Sequence, residues 1–278
     1  MFTLNCKGRL LVIDHPIVMG IINVTPDSFY RGSRTNELDD VLFRADKMIE
    51  EGATILDIGG QSTRPKSTQI SVDEELKRVL PAIEAIHKKF PQTIISIDTF
   101  YSKVASEAVS AGAGIVNDVS AGTIDSALMS TVAQLKVPYV LMHMLGNPQT
   151  MQQSPYYKNV TLDVFDFLSF KIAEIKKAGI DDIIVDVGFG FGKTSTHNFQ
   201  LLRELSFFKQ LNKPIMVGLS RKATIYKTLG ITAEEALNGT TVMHTIALSN
   251  GATILRVHDV RAATEAVKLF TAYKKEEQ

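Results

Sequence analysis

One pattern recurs along this chain and limits the folds that it can adopt. A short apolar run, rich in β-branched residues, ends at glycine or polar residues, and a longer segment with helical periodicity follows it. Eight such runs occur, at 17–22, 54–58, 93–97, 114–116, 137–142, 183–187, 214–219 and 253–257. Short and almost wholly apolar runs that alternate with helices are typical of parallel strands buried on both faces.

The segments between the runs have the features of amphipathic helices. Segment 37–52 has an apolar stripe along one face and ends at Gly52. The next helical segment begins with Ser71 and Glu74, which have the spacing of a capping box. Eight strand–helix units within about 260 residues predict a (β/α)8 TIM barrel. A doubly wound parallel sheet is the alternative, although such sheets rarely contain eight units.

The remainder of the chain gives no indication of a second domain. Residues 1–16 predict a short β-hairpin that turns at Lys7 and Gly8, and we expect it to cap the bottom of the barrel. No linker, low-complexity segment or shift in composition interrupts the strand–helix pattern. We therefore interpret residues 1–278 as one barrel domain.

Composition argues against several classes of function. The 30 Lys and Arg residues balance the 30 Asp and Glu residues, and no basic block stands out, which argues against nucleic acid as a partner. No apolar run approaches the roughly 20 residues of a membrane span, and the N-terminus lacks a signal-peptide core. The single cysteine, Cys6, cannot form an internal disulfide. We expect a soluble cytoplasmic protein with no membrane partner.

Polar side chains follow nearly every predicted strand. In a (β/α)8 barrel the active site lies at the C-terminal ends of the strands, so these side chains are the candidates for function. Any one of them is ordinary loop chemistry, but in a closed barrel all of them meet at one concave mouth. In chain order they are Asn23, Thr63, Arg64, Asp98, Asn117, Asp118, His143, Asp186, Ser220, Arg221, Lys222, Arg256, His258 and Asp259.

The segment 186–195, DVGFGFGKTS, ends in the Gly-Lys-Thr of a phosphate-binding P-loop. That motif requires a second glycine five residues before Gly192, where this chain has Val187, and it belongs after a first strand rather than a sixth. The sequence therefore argues against an NTPase. Glycines also let a backbone pass close to a flat ligand, with Phe189 and Phe191 as walls of a pocket. A simple turn above core phenylalanines is the alternative.

The candidate residues divide by charge into two groups. The carboxylates of Asp98 and Asp186 and the amide of Asn117 suit a heterocycle rich in N–H donors, because buried carboxylates need partners. Lys222 supplies a cation, and the planar guanidinium of Arg256 can stack on a ring or bind an anion. The donors suited to a phosphate group are Asn23, Thr63, Arg64 and His258. The pattern predicts a substrate with a donor-rich ring and an anionic end.

Two other kinds of site fit the residues less well. A tetrahedral zinc site is weakly supported, because three predicted strands separate His143 from His258 and Cys6 is distant in sequence. Asp98 and Asp186 could form the acid and base pair of a glycosidase. Such sites usually contain aromatic platforms that include tryptophan, and this chain has no tryptophan.

Eight segments of the chain together resemble the dihydropteroate synthases, a pterin-binding TIM-barrel family. The most specific are NVTPDSF, within 19–29, and GGQSTRP, within 55–65. The others span nearly the whole chain in order, at 96–100, 117–122, 141–152, 186–194, 216–223 and 256–260. Two of the segments also resemble pterin-binding methyltransferase domains.

The resemblance implies a transferase of folate biosynthesis that joins 6-hydroxymethyl-7,8-dihydropterin diphosphate to p-aminobenzoate and releases diphosphate. It implies Mg²⁺ held at Asn23, a homodimer, and sulfonamides as inhibitors that occupy the aminobenzoate pocket. By position, the pterin residues are Asp98, Asn117, Asp186, Lys222 and Arg256, of which Asp98, Lys222 and Arg256 are catalytic. The diphosphate residues are Asn23, Thr63, Arg256 and His258, and the aminobenzoate residues are Thr63, Pro65, Phe191, Ser220 and Lys222.

The chain departs from the family pattern in three places. It has YRGS at 30–33 where SDGG is usual, Gln61 where glutamate is usual, and Val187 where proline is usual. The long loops 23–36 and 60–71 are expected to close as lids over the diphosphate. Two alternatives remain: a barrel that presents methyltetrahydrofolate to a corrinoid protein, and a relative that binds pterin without turnover. The STRP loop and Lys222 argue against the first.

Overall fold

The computed structural model of the chain describes residues 1–25, 34–61, 69–146, 151 and 155–274, with the backbone alone at 34–37. Eight parallel strands close into a barrel in which every strand pairs with two neighbours and the last strand pairs with the first. The (β/α)8 barrel is confirmed, and the doubly wound sheet is wrong, because an open sheet would leave two edge strands unpaired.

An antiparallel hairpin precedes the barrel. Its strands are β1 (Phe2–Cys6) and β2 (Arg9–Ile13), and the turn lies at Lys7 and Gly8, which both have positive φ. The barrel strands are β3 (Ile17–Asn23), β4 (Ile55–Gly59), β5 (Ile94–Asp98), β6 (Ile115–Asp118), β7 (Tyr139–Met142), β8 (Ile183–Asp186), β9 (Ile215–Val217) and β10 (Ile254–Val257).

The helices surround the barrel and follow the strands in order. They are α1 (Arg34–Glu50), α2 (Val72–Lys89), α3 (Ser102–Ala111), α4 (Leu128–Leu135), α5 (Val160–Lys177), α6 (Ser195–Arg203), α7 (Ala223–Leu229), α8 (Leu237–Ser249) and α9 (Val260–Lys274), with a 3-10 helix at Leu205–Leu211. Ser71 caps α2 as expected, since its Oγ accepts from the Glu74 N–H at 3.2 Å. None of the described helices is long and apolar enough to cross a membrane.

The strand ends differ by a few residues from the predicted runs. The largest differences are at β6, which ends at Asp118 rather than at 116, and at β9, which ends at Val217 rather than at 219. The chain turns there, and the N–H of Lys222 donates to the Leu219 carbonyl at 3.2 Å. At the end of this predicted run, the chain therefore forms a turn instead of pairing as a strand.

Side-chain alternation divides the barrel interior into two layers. Along β4, Leu56 and Ile58 pack outward against the helices, whereas Ile55 packs inward with the hairpin. The lower interior is apolar and is closed by the hairpin residues Leu4, Cys6, Leu11 and Ile13. The hairpin therefore caps the bottom of the barrel, as the sequence suggested, and the opposite end remains available for polar groups.

Candidate active site

The upper interior layer of the barrel is polar. Each of its members lies two residues beyond an inward apolar residue on the same strand, so strand alternation points it inward as well. The apolar members are Ile55, Ile94, Ile115, Ile184 and Ile254. The polar members above them on the same strands are Asp57, Ser96, Asn117, Asp186 and Arg256, with Asp98 one step higher on β5.

Arg256 joins two carboxylates across the barrel. Its Nη2 lies 2.6 Å from Asp57 Oδ2 and 2.6 Å from Asp98 Oδ2, and its Nε also donates to Asp57 at 2.6 Å. Burial raises the pKa of Asp98 to about 7, Arg256 opposes that shift, and the nearby carboxylates of Asp57 and Asp118 add to it. Asp98 therefore changes charge near neutral pH.

Asn117 is oriented by the same cluster. Its Nδ2 donates to Asp57 Oδ2 at 3.0 Å, within the buried interior. The other oxygen, Asp57 Oδ1, is buried without a hydrogen-bond partner in the described part of the chain. Asp57 thus fixes both Arg256 and Asn117, and the rest of each side chain can face a ligand.

Asp186 and Lys222 are two further charged groups of the mouth, and each favours the charged form of the other. Burial raises the pKa of Asp186, and Lys222, the Gly188 N–H and Arg256 oppose the shift. The Gly188 N–H donates to Asp186 Oδ1 at 2.7 Å. Burial lowers the pKa of Lys222 to about 8, with Asp186 opposing and Arg256 adding to the shift. These mutual influences mean that the side chains at 98, 186, 222 and 256 share one site.

Phe191 lies on the same side of the mouth as Lys222. The Lys222 Nζ is 4.7 Å from the centre of the Phe191 ring, a cation–π distance, and it also donates to the Phe189 carbonyl. Phe189 itself is buried in the core among the helices and strands. Of the two phenylalanines expected to wall a pocket, only Phe191 is in a position to do so, and Phe189 is a core residue.

Ser220 and His258 meet at the rim above β9 and β10. Ser220 Oγ lies 3.0 Å from His258 Nδ1 and accepts from the His258 N–H at 3.2 Å. Beside them, Arg221 forms a two-pronged ion pair with Asp259, at 2.7 and 2.9 Å. Arg221 is engaged with Asp259, so the donors of this rim that are predicted to contact the substrate are Ser220 and His258.

Asn23 lies over Gly59 at the end of β3. A side chain at position 59 would come within 3.6 Å of both Asn23 Oδ1 and Asp98 Oδ2, so the glycine keeps a space open between an amide and a carboxylate oxygen. Oxygen donors suit Mg²⁺, which takes few protein ligands when phosphates supply the others. Among the described residues, no three His, Cys, Asp or Glu side chains are grouped to hold a metal by themselves. Asn23 therefore fits a magnesium ion that is bound mainly by a diphosphate.

Comparison with known proteins gives a consistent result. A family model described as pterin binding enzyme matches residues 19–258. The dihydropteroate synthase of Escherichia coli (strain K12) is 44% identical over 268 residues, which cover 96% of this chain and 94% of that protein. The enzyme of Haemophilus influenzae is 43% identical, with 97% and 98% covered. The chain belongs to the dihydropteroate synthase family.

Solved structures of this family match the fold over its full length. The Xanthomonas albilineans dihydropteroate synthase with 4-aminobenzoic acid has a TM-score of 0.92 at 41% identity, with 99% of each chain covered. The same enzyme in complex with 7,8-dihydropteroate has a TM-score of 0.89 at 39% identity, with 99% and 100% covered. The Yersinia pestis enzyme with a sulfonamide drug complex has a TM-score of 0.93 at 39% identity, with 98% and 99% covered.

Some predicted features of the dihydropteroate synthase site lie outside the described residues. These are Thr63, Arg64 and Pro65, the departure at 30–33, and most of the two expected lids. The other departures have a place in the structure. Gln61 is buried, and its Oε1 accepts from the Ile70 N–H at 2.9 Å, which ties the two ends of one loop together. Val187 is fully buried in the core.

Two residues of the site were missed from the sequence. Asp57 sits inside an apolar run, ILDI, and strand alternation from Ile55 could have indicated that it faces the interior. Lys193 belongs to the segment that resembles a P-loop, yet it is 3% exposed and lies beside His143. No sequence signal shows that burial, because lysine is ordinarily a surface residue.

Proposed function

We propose that this chain catalyses the dihydropteroate synthase reaction of folate biosynthesis. The C–O bond between the pterin methylene and the diphosphate breaks, a C–N bond to p-aminobenzoate forms, and the amine loses a proton. The observation that carries the proposal is the convergence of Asp98, Asn117 and Asp186 with the cations Lys222 and Arg256 at one mouth. This arrangement complements a donor-rich ring at one end and a departing anion at the other.

The pterin ring lies against the carboxylates. Its amino group and ring N–H groups donate to Asp186 and to the Asn117 amide oxygen, while Lys222 donates to an acceptor on the ring. Asp57 and Asp98 keep Arg256 in place, and from there its guanidinium group covers the edge of the ring. Arg256 and the Gly188 N–H offset part of the cost of burying the carboxylates of Asp98 and Asp186, and a ligand with matching donors offsets more of it.

The difficult step is departure of the diphosphate. The aniline nitrogen is neutral at pH 7, so no strong base is required. We favour departure before complete attack, because the electron-rich pterin stabilises a positive methylene, and ionised Asp98 adds to that stabilisation. On the other side, Arg256 and His258 face the anion. Asn23 would hold a Mg²⁺ ion together with the diphosphate, and the ion would supply positive charge to the leaving group.

The aminobenzoate binds on the side of Phe191. Its ring packs on the Phe191 ring, and its carboxylate lies towards Ser220. The family resemblance also assigns Thr63 and Pro65 to this substrate, and both lie outside the described residues. Support comes from the cation–π contact between Lys222 and Phe191, which joins this side to the pterin side. Sulfonamides, which resemble p-aminobenzoate in shape and charge, are expected to compete for the same place.

A turnover assay tests the proposed function. Protein is mixed with the pterin diphosphate, Mg²⁺ and p-aminobenzoate, and dihydropteroate and diphosphate are both measured. We expect the two products in equal amounts, with little product from Asp186→Asn and Lys222→Ala. Pterin binding by correctly folded wild-type protein without either product would favour a binding module.

We also propose a homodimer formed through the outer face of α8. Leu237, Val242 and Ile246 on this helix are 40%, 52% and 41% exposed, and Leu229 at the end of α7 is 54% exposed. A run of exposed apolar side chains of this kind suits an interface between two copies. Light scattering tests it: Val242→Lys is expected to give monomers, whereas Leu269→Lys, at an exposed site on α9, is not.

The expected place of action is the cytoplasm. Cys6 is buried and unpaired, and burial raises the pKa of its thiol to about 12, with Asp182 adding to the shift. A thiol that is protonated and buried needs no oxidising compartment. Cell fractionation with a tagged chain is the direct test, and recovery in an oxidising compartment would contradict the assignment.

A further inference from the structure

The glycine-rich loop 188–193 is pressed against the chain that follows β7. Gly188 has φ +71°, and a Cβ added to it would lie 1.9 Å from the His143 carbonyl oxygen. A Cβ added to Gly192 would lie 2.7 Å from the Leu145 Cβ. The glycines therefore allow the two backbones to lie in close contact, and they also allow the turn itself.

Lys193 joins these two segments from the inside. Its Nζ lies 2.9 Å from His143 Nδ1, 3.3 Å from the His143 carbonyl and 3.0 Å from the Phe191 carbonyl. The lysine is only 3% exposed. An ammonium group has three protons and these are three acceptors, so each proton has a partner within the loop and the end of β7.

The three acceptors favour the ammonium form of Lys193, whereas the surrounding charges act on it in both directions. Burial lowers the pKa of His143 to about 2, and Lys193 adds to that shift, so the ring is neutral and its Nδ1 accepts. Burial lowers the pKa of Lys193 to about 7; Asp186 opposes this shift and Lys222 adds to it. The negative charge of Asp186 thus favours the ammonium form of Lys193. An uncharged side chain such as methionine would fill the space without the cost of burying a charge.

The same loop carries the wall of the proposed aminobenzoate site. Lys222 holds the Phe189 carbonyl and has its Nζ over the Phe191 ring. Lys193 holds the carbonyl of Phe191. Two lysines therefore bind adjacent parts of one loop, Lys222 from the mouth and Lys193 from the interior. The position of the Phe191 ring depends on both.

We propose that Lys193 is a positioning residue, whose buried ammonium group holds the loop 188–193 against His143 and so fixes Phe191 for the aminobenzoate. The part that concerns p-aminobenzoate rests on the proposed function. The part that concerns the loop does not.

The first experiment measures the loop in the free protein. Hydrogen exchange is compared between the wild type, Lys193→Met, and Lys227→Met, a change at an exposed lysine of α7. We expect exchange at 188–193 to be at least about tenfold faster in Lys193→Met, because a local opening costs less, and unchanged in Lys227→Met. Unchanged exchange in Lys193→Met overturns the proposal. If that variant does not fold, Lys193→Gln, which keeps one donor group, takes its place.

The second experiment separates positioning from general stability. In Lys193→Met the KM for p-aminobenzoate should rise about tenfold, which corresponds to about 1.4 kcal/mol, while the KM for the pterin diphosphate changes much less. Added to Phe191→Ala, the same change should raise the KM for p-aminobenzoate little further, because both act through one ring. Equal rises in both KM values, or full additivity, overturn the proposal. A wild type without product refutes the proposed function instead, and the exchange result still decides the role of Lys193 in the loop.

Discussion

Replacing Asp57 by asparagine should move the pH dependence of the reaction to lower pH. Asp57 and Asp98 place one oxygen each 2.6 Å from the same Arg256 nitrogen, so the two oxygens are at most about twice that distance apart. The charge on Asp57 contributes to the raised pKa of Asp98, which is about 7. Asparagine keeps the shape of the side chain and an oxygen that can accept from Arg256, and it removes the charge.

The size of the effect follows from that distance. Two unit charges about 5 Å apart interact by about 3 kcal/mol at an effective dielectric constant of about 20. That energy corresponds to roughly two pKa units. Loss of the Asp57 charge therefore lowers the pKa of Asp98, and Asp98 is ionised over a wider range of pH. At pH values well above the Asp98 pKa, activity should fall about tenfold, because a charged hydrogen bond to Arg256 becomes a neutral one.

The assay is the pH profile of kcat/KM for the pterin diphosphate, which reports ionisations of the free enzyme. We expect the acidic limb of the profile to lie near pH 7 in the wild type and lower by up to about two pH units in Asp57→Asn. Asp182→Asn is the matched control, because Asp182 precedes β8 at the opposite end of the barrel, where it accepts from the Asn5 N–H. An acidic limb that stays in place, or moves to higher pH, would refute the electrostatic reasoning.

Three further predictions concern stability and metal. Glu75 is fully buried, and burial raises its pKa from 4.5 to about 8, so its contribution to stability is complete below pH 4.5 and is lost as the pH rises to about 8. In chemical denaturation Glu75→Gln should reduce that loss by an amount on the order of a few kcal/mol, and an unchanged pH dependence would count against it. Gly188→Ala should lower the free energy of unfolding by at least about 3 kcal/mol, because the added Cβ meets the His143 carbonyl. Gly8→Ala, also at positive φ but in open space, should lower it by about 1 kcal/mol. Equal shifts of the melting temperature in the two variants would contradict this. Chelation of Mg²⁺ should abolish turnover without lowering the melting temperature, since Asn23 alone does not hold a structural metal, and full activity in chelator would exclude the metal role.

The barrel itself was predictable because it depends on a repeated pattern. Apolar runs such as 93–97 and 183–187 are long enough to identify buried strands, and closure follows from their number. The ends of the strands then identify Asp98, Asn117 and Asp186 as neighbours, although they are far apart in sequence. Because the strands of a barrel follow one another in chain order, the sequence position of a polar residue at a strand end predicts its place at the mouth.

The residues that the sequence did not reveal act through depth and charge pairing. Asp57 lies in the buried polar layer of the barrel, and its importance comes from Arg256, which is 199 residues away in the chain. Glu75 looks like an ordinary charge in the first turn of α2, yet it is fully buried. Lys193 follows the same principle. Burial of a charged side chain depends on the packing of several elements, and the local composition of the sequence does not reveal it.

A crystal structure of the protein with bound 7,8-dihydropteroate tests the proposed site most directly. We expect the pterin end between Asp186 and Asn117, with Lys222 and Arg256 on the ring and the aminobenzoate end beside Phe191. A product bound outside the barrel mouth, or bound there with its two ends exchanged, would contradict this expectation.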